Sequence, residues 1–366
     1  MHFSARTKGS YDGPVSQPLL QSPFLLACRG EDVPRVPVWF MRQAGRSLPE
    51  YRALRGSGSI LDTISRPDVA CEATLQPVRR YGVDAAILFS DIVVPVHAIG
   101  FGVDVVPGRG PHVAAPFRST GDLARLRALD PADVAHVVET VRLAAKELDA
   151  TATPLIGFAG APFTVASYLV EGGPTRTFEL VKGLAHAEPR LFAELTERLA
   201  DLAIAFVTAQ VEAGASAVQL FDSWAGALSP SEYARFALPS TQRVMAALEP
   251  LGVPRILFGL GTGELLGLMA SSGADVIGVD WHVPLDEART RVGSLAVQGN
   301  LDPALCVSNV DVAIEATRDV LARAGTRAGH IFNLGHGVLP STDPGVLAEV
   351  VGVVHAEGRA GVVGAS

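Results

Sequence analysis

Short apolar runs alternate with helical segments along most of this chain. The apolar runs are short enough to be buried strands, and several end abruptly in polar or glycine residues. They lie at residues 37–40, 84–91, 154–158, 217–221, 255–258, 274–279, 294–298 and 330–332. Helices are predicted at residues 22–28, 49–55, 66–81, 131–148, 189–212 and 343–357 and also after Ala161 and Ser229. Pro67 at the first helical position and Gly82 just past the end mark the limits of one of them.

Strands that alternate with helices predict a parallel sheet with crossover helices. Eight strands of this kind predict an α/β fold, a (β/α)8 TIM barrel, formed by one domain over residues 21–357. Residues 1–20 and 358–366 are rich in small and polar residues and are expected to be flexible tails. A doubly wound open sheet is the alternative. It is weakened because no Gly-x-Gly-x-x-Gly turn follows the first strand.

Three long connections follow predicted strands, at residues 42–66, 92–130 and 162–186. The middle one contains a Gly- and Pro-rich stretch at 100–116 that is expected to form a hairpin or a long loop. Because such barrels carry their sites at the C-terminal face of the strands, these loops are predicted to surround the site.

Polar side chains follow most of the strands, and on this fold they converge. Arg42 and Arg46 stand four residues apart after the first run and could clamp an anion between two guanidinium groups or simply pair with acidic neighbours. Ser223, Asn300 and Asp302 are expected to be helix caps or loop groups, and Asp222 and Asp280 to bond loop N–H groups. The other strand-end candidates are Gln43, Asp91, Thr164, Tyr168, His282, Asn333 and His336.

Composition narrows the choice of partner and compartment. The formal net charge is −8 and no Lys/Arg run is visible, so no nucleic-acid partner is expected. No run of 18 apolar residues is present, so no membrane span is expected, and the first 20 residues do not resemble a signal peptide. Cys28, Cys71 and Cys306 are odd in number and widely spaced, which suits a reducing, cytoplasmic location.

Several chemistries fit this residue set poorly. A thiolate zinc site needs clustered Cys and His, and no His-x-Cys pair exists. A Schiff base needs a strand-end Lys, whereas Lys146 and Lys182 fall in helical segments. No Gly-x-Ser-x-Gly frames Ser223, and the Gly-rich loop at 259–263 is a weak phosphate signal. The remaining hypothesis is a pocket without metal or cofactor that binds a polyanionic organic substrate.

Six collinear segments resemble the uroporphyrinogen decarboxylase family. They are MRQAGRSLPEYR at 41–52, FSDI at 89–92, GFAGAPFT at 157–164 with YLVEGG at 168–173, FDSWAG at 221–226, QGNLDP at 298–303 and NLGHG at 333–337. The resemblance implies a distorted TIM barrel, a homodimer and a decarboxylase that needs no cofactor or metal. The implied reaction removes CO₂ from the four acetate side chains of uroporphyrinogen III and gives coproporphyrinogen III for haem and tetrapyrrole biosynthesis.

The resemblance also implies roles for individual residues. Asp91 would accept hydrogen bonds from the pyrrole N–H groups and stabilise the transition state, with Arg42, Tyr168 and His336 as further catalytic candidates. Arg46 and Arg55 would pair substrate carboxylates. The implied substrate contacts are Arg42, Gln43, Ala44, Gly45, Arg46, Arg55, Asp91, Tyr168, Ser223 and His336.

The implied chemistry sets an expectation for Asp91. Protonation of a pyrrole ring carbon would make the ring an electron sink for CO₂ loss, and a carboxylate beneath the ring would stabilise the positive charge. A buried carboxylate among arginines is expected to have a lowered pKa. An Arg, His336 or water remains open as the general acid. The rival hypotheses are a zinc-dependent corrinoid methyltransferase of the same superfamily and a tetrapyrrole-binding protein that has lost activity.

Overall fold

The computed structural model describes residues 17–45, 47–56, 58–106 and 108–359. The strands are β1 (Ala86–Ile87), β2 (Val103–Val106), β3 (Gly110–Val113), β4 (Leu155–Gly160), β5 (Ala217–Asp222), β6 (Arg255–Gly259), β7 (Val276–Gly278), β8 (Ala296–Gln298) and β9 (His330–Ile331). The first helices are α1 (Gln17–Leu20), α2 (Pro23–Cys28), α3 (Pro49–Arg55), α4 (Ile60–Ile64), α5 (Pro67–Tyr81), α6 (Val94–Ala98), α7 (Ala135–Asp149) and α8 (Pro162–Glu171). The later helices are α9 (Glu179–Ala187), α10 (Pro189–Ala213), α11 (Pro230–Phe236), α12 (Leu238–Leu248), α13 (Leu266–Met269), α14 (Leu285–Val292), α15 (Leu305–Ser308), α16 (Val310–Ala324) and α17 (Pro344–Glu357).

The main sheet is parallel throughout and contains seven strands in the order β1-β4-β5-β6-β7-β8-β9. Helices follow the strands and cover the sheet, so the strands read as nearly continuous buried runs. All strands point the same way, so their C-terminal ends meet at one edge. Strands β2 and β3 form a separate antiparallel hairpin after α6, as predicted for residues 100–116.

The predicted first strand at residues 37–40 is not a strand in the structure. It forms an isolated parallel bridge between Val38 and Phe332. The N–H of Phe332 donates to the oxygen of Pro37 at 2.8 Å, and the N–H of Asp84 donates to the oxygen of Val38 at 2.7 Å. The segment therefore bonds to the chain beside β9 and to the chain before β1. Because Pro37 has no N–H, the ladder cannot extend further back.

Asp84 links this segment to Arg35 in the N-terminal part of the chain and to His355 in the last helix. Its carboxylate accepts hydrogen bonds from the N–H of Val38 at 2.8 Å and from Arg35 at 2.6 and 2.9 Å. His355 on α17 contacts the same carboxylate at 2.8 Å. Burial by itself raises the pKa of Asp84, but His355, Arg35 and the Val38 N–H outweigh it, and the pKa lies below its usual value.

Local signals placed the helix ends well. Helix α5 begins at Pro67 and is capped by Gly82 in the left-handed conformation, with φ 66°. Ser229 caps α11 in a reciprocal capping box with Glu232. The predicted strand at 84–91 is much shorter, since only β1 pairs as a strand.

The predicted tails fall mostly on residues outside the described part of the chain, and the described residues next to them are packed. Residues 1–16 lie outside the described part, but α1 is helical and buries Leu19. At the other end, the oxygen of Gly358 accepts a hydrogen bond from the N–H of Val36. The packed structure therefore extends slightly beyond 21–357. Within the described residues, no helix combines the length and apolarity needed to cross a lipid bilayer.

Candidate active site

Four of the predicted side chains share one electrostatic environment at the C-terminal edge of the sheet. Burial has the largest effect on the pKa of Asp91, Tyr168 and His336, and at each of them the charge of Arg42 acts in the lowering direction. The charge of Asp91 acts to raise the pKa of Tyr168. Such effects act over short distances, so Asp91, Tyr168 and His336 all lie near Arg42. They come from four parts of the sequence, and the convergence of parallel strand ends brings them together.

Arg42 is the exposed member of the group, and its backbone is held firmly. It has a left-handed backbone, with φ 57°, which is uncommon for a residue with a side chain. On one side, the N–H of Met41 donates to Oδ1 of Asn333 at 3.0 Å. A Cβ added to Gly337 would lie 2.7 Å from Cγ of Arg42, so the glycine leaves room for the arginine stem. The loop after β9 therefore determines where this guanidinium lies.

The residues after Arg42 divide into structural and outward positions. Gln43 is fully buried, and its side-chain amide bonds to the oxygen of Ala85 and the N–H of Phe40, both at 3.0 Å. Its side chain therefore shapes the loop, while Ala44 and Gly45 are half-buried. Arg46 lies outside the described residues.

The guanidinium of Arg55 is already hydrogen-bonded to the backbone. Its Nε and Nη2 donate to the oxygen of Gly58 at 3.2 and 3.0 Å. These bonds close the turn that follows α3. Pairing of Arg55 with a substrate carboxylate stays a prediction, and it would require this guanidinium to share or exchange its partner.

Asp91 is half-buried after β1, and its Oδ1 accepts the N–H of Val93 at 3.0 Å. Burial raises the pKa of Asp91, and the opposing effects of Val93, Arg42 and Ile92 do not cancel it. The expectation of a lowered pKa was therefore wrong. Loss of hydration outweighs a single guanidinium at this position.

Tyr168 lies on α8 and stays protonated over the physiological range. Burial raises its pKa to about 12, with a further contribution from the charge of Asp91. Its hydroxyl can therefore donate a hydrogen bond to an anion or to the substrate.

His336 is neutral and has a defined tautomer. Burial and the charge of Arg42 lower its pKa to about 4, against a smaller opposing effect of Asp280. Its Nδ1 accepts the N–H of Gly337 at 2.5 Å. This bond requires the proton of the neutral ring to be on Nε2, which makes Nε2 a donor. The rings of Phe258 and Trp281 lie near it, each with its centroid at 6.4 Å.

Most of the other strand-end groups serve the loops. Asp280 accepts the N–H groups of Gly261 and His282, Asp302 accepts that of Ala304, and Asn300 donates to the oxygens of Asp280 and Val283. These bonds confirm the loop and cap roles. Ser223 is half-buried directly after the end of β5, and its contact with substrate stays a prediction.

Asp222 and Trp224 make contacts near the site that were not predicted. Asp222 is fully buried, and its Oδ1 accepts the hydroxyl of Thr164 at 2.6 Å, a side-chain partner that was not predicted. Burial raises the pKa of Asp222 to about 6, although bonds from Thr164 oppose this. The ring of Trp224 stacks on Tyr168, with centroids 3.9 Å apart. Trp224 comes two residues after the end of β5, and that position was the available signal.

The donor set offers little to a metal ion. Among the described residues, no group of three or more His, Cys, Asp or Glu side chains is arranged to hold one. The three cysteines are buried and unpaired. Burial raises the pKa of Cys71 to about 11 and that of Cys306 to about 12, so these thiols stay protonated.

Solved structures with low sequence identity share this fold. A methyltransferase from Methanosarcina mazei matches with a TM-score of 0.76 at 20% identity, covering 92% of this chain and 98% of that one. A B12-independent methionine synthase from Shewanella matches with a TM-score of 0.55 at 14% identity, covering 80% of this chain and 88% of that one. At these identities the likeness shows the fold alone: a mixed α/β architecture with a curled parallel sheet.

Sequence relatives are much more similar. A uroporphyrinogen decarboxylase from Streptomyces coelicolor is 58% identical over 348 residues, covering 94% of this chain and 98% of the relative. A uroporphyrinogen decarboxylase from Salinispora tropica is 56% identical, covering 94% of this chain and 92% of the relative. The family model described as uroporphyrinogen decarboxylase (URO-D) matches residues 19–357. The chain belongs to the uroporphyrinogen decarboxylase family.

Proposed function

We propose that this enzyme removes CO₂ from the four acetate side chains of uroporphyrinogen III and releases coproporphyrinogen III. The observation that carries the proposal is that Asp91, Tyr168 and His336 all lie within reach of the charge of Arg42, in a chain of this family. The pocket offers a cation for the substrate carboxylates, an acid of raised pKa for the macrocycle and two neutral donors. This set suits a polycarboxylate tetrapyrrole.

The reaction balances with two protons and no external electron acceptor. A proton adds to a pyrrole ring carbon and leaves positive charge on the ring. The bond between the acetate methylene and its carboxylate then breaks, CO₂ leaves, and the electron pair moves into the ring. A second proton converts the exocyclic methylene to a methyl group, and loss of the first restores the pyrrole. The net change is one proton taken up for each CO₂ released.

Asp91 has the property that this sequence of steps needs. Burial acts against the charge of its carboxylate and raises its pKa. Positive charge that develops on the ring would favour the ionised form most strongly at the transition state. Asp91 would therefore stabilise the transition state more than the bound substrate, which lowers the barrier.

Tyr168 and His336 would act as hydrogen-bond donors. His336 is neutral near pH 7 because its pKa is about 4, so its ring carries no second proton that it could transfer to the substrate. Its Nε2–H would bind a substrate carboxylate or orient an acetate group. This favours an arginine or water as the proton donor. Among the described residues, Arg42 is the candidate arginine, because its charge acts on Asp91.

The finer architecture is also a proposal. We propose that residues 37–40 close the sheet as the eighth element of a distorted TIM barrel. The bridge from Val38 to Phe332 and the bond from Asp84 to Val38 support this, since the segment bonds on both sides. A single barrel domain accords with the family match over residues 19–357.

A cytoplasmic homodimer without cofactor is the proposed working form. Three buried, unpaired cysteines suit a reducing compartment. No nucleic-acid or membrane partner is proposed. The zinc-dependent methyltransferase alternative is disfavoured because the chain lacks a His-x-Cys pair and shows high identity to decarboxylases. A metal assay on the purified protein would separate the two.

Anaerobic incubation of the purified protein with uroporphyrinogen III tests the proposal. Products are oxidised and separated by carboxylate number. We expect hepta-, hexa- and pentacarboxylate intermediates followed by the tetracarboxylate product, without added metal or cofactor. An unchanged octacarboxylate pool from folded protein would overturn the proposed function.

A further inference from the structure

Tyr168, Trp224 and Phe178 form a contiguous group that we call the aromatic stack. The rings of Tyr168 and Trp224 are nearly parallel, with centroids 3.9 Å apart and an interplanar angle of 29°. Phe178 meets Trp224 edge-on, with centroids 5.2 Å apart and an angle of 82°. Trp224 therefore lies between a pocket residue and the connection from α8 to α9. Both geometries are favourable for aromatic pairs.

The backbone of Trp224 is tied to the helix that carries Tyr168. The N–H of Trp224 donates to Oγ1 of Thr164 at 3.1 Å, and the hydroxyl of Thr164 donates to Asp222 at 2.6 Å. Thr164 lies in the first turn of α8, one turn before Tyr168, while Asp222 ends β5. These two bonds fix the end of β5 relative to α8, so the two stacked rings are held from both sides.

Phe178 supplies an independent sign that the stack is constrained. Its backbone is left-handed, with φ 53°, although it carries a bulky side chain. Such a conformation is unfavourable for an L-residue and persists where the surroundings impose it. The edge-on contact with Trp224 is the interaction that this backbone makes possible.

We propose that Trp224 is a positioning residue for the reaction and acts through Tyr168. The indole ring fixes the phenol ring so that its hydroxyl stays in the pocket shared by Asp91 and Arg42. The inference rests on the proposed function and adds a residue to it. Without the indole, Tyr168 could adopt other rotamers. Its hydroxyl would then be in position to donate a hydrogen bond to the transition state for a smaller fraction of the time. A small misplacement of a catalytic group typically costs about 10- to 100-fold in rate.

A set of kinetic variants tests the proposal. We expect Trp224→Ala to lower kcat about 10- to 100-fold with KM changed less than about threefold, and Trp224→Phe, which keeps a stacking ring, to recover most of that loss. In a Tyr168→Phe background, Trp224→Ala should lower kcat less than about threefold further, since the hydroxyl it positions is already absent. An equal loss in both backgrounds would overturn the proposal, as would a change in KM alone.

Two further measurements separate this inference from general instability and from the activity itself. Phe236→Ala truncates a buried ring that contacts His186 and Phe192, so it should lower stability while kcat of the folded fraction stays unchanged.

Urea unfolding of Trp224→Ala, Tyr168→Ala and the double variant measures the stack without substrate. If the midpoint shifts of the single variants do not add up to that of the double variant, but the protein does not turn over substrate, only the proposed function is refuted. Additive midpoints would refute the stack and therefore the inference.

Discussion

Gly337 leaves the space that the side-chain stem of Arg42 occupies, and replacing it with alanine removes that space. A Cβ at this position would lie 2.7 Å from Cγ and 3.0 Å from Cβ of Arg42. Carbon atoms normally approach to about 3.5–4.0 Å. Gly337 lies outside the left-handed region of backbone conformation, so alanine suits its backbone and the collision with Arg42 is the main perturbation.

The collision can be relieved in two ways with different costs. Overpacking that moves the backbone costs about 1–3 kcal/mol of stability. Because the Arg42 side chain is exposed, rotation of that side chain is cheaper, so we expect about 1 kcal/mol. The guanidinium then leaves its position. Loss of one charge-assisted hydrogen bond of about 1.5–3 kcal/mol to a substrate carboxylate raises KM about 10- to 100-fold.

Steady-state kinetics under anaerobic conditions and urea unfolding measure the two effects separately. Gly352→Ala is the matched control, because this glycine lies on α17 with nothing within 4 Å of an added Cβ. The control should gain about 0.5–1 kcal/mol of stability and keep wild-type kinetics. In an Arg42→Ala background, Gly337→Ala should change KM little. A Gly337→Ala enzyme with wild-type KM would refute the position or the binding role assigned to Arg42.

Three further outcomes follow from the structure. Arg42→Ala should raise KM for the octacarboxylate about 10-fold or more with little change in unfolding midpoint. Arg318→Ala, which replaces another exposed arginine, is the control and should leave KM unchanged. A loss of stability without an effect on KM would contradict the binding role of Arg42. Asp84→Asn should cost about 2–4 kcal/mol near pH 7, measured by urea unfolding. Because the folded pKa of Asp84 is lowered, this deficit should be full above the unfolded pKa and shrink as pH falls through the folded value. Asp222 has a folded pKa raised to about 6, so wild-type stability relative to Asp222→Asn should fall as pH rises from about 4 to about 6, and a flat difference would contradict the burial effect.

Local sequence signals located the helices more accurately than the strands. Pro67, Gly82 and Ser229 act through the backbone next to them, so the ends of α5 and the start of α11 could be read directly. Strand limits depend on partners far away in the sequence. The segment around Val38 is apolar like a strand, yet it pairs only as a bridge because its neighbours and Pro37 limit the ladder.

The placement of Asp91, Tyr168 and His336 near Arg42 was predictable because parallel strands end at one edge of the sheet and Tyr168 lies on the helix that follows β4. The energetic properties of these groups were not. The pKa of Asp91 depends on how much water folding removes from its carboxylate, and this burial effect cannot be weighed against one guanidinium before the fold is known. The internal bonds of Gln43, the Gly58 contact of Arg55 and the stacking of Trp224 also depend on three-dimensional packing.

The central claim is that Asp91 stabilises positive charge that develops on the substrate ring, and Asp91→Asn tests it most directly. The amide keeps the size of the side chain and removes its ability to become an anion. Single-turnover decarboxylation of uroporphyrinogen III is measured anaerobically beside the unfolding midpoint and substrate affinity. We predict a loss of at least about 100-fold in the rate of CO₂ release, with midpoint and affinity near wild type. Near-normal turnover by Asp91→Asn would contradict the account.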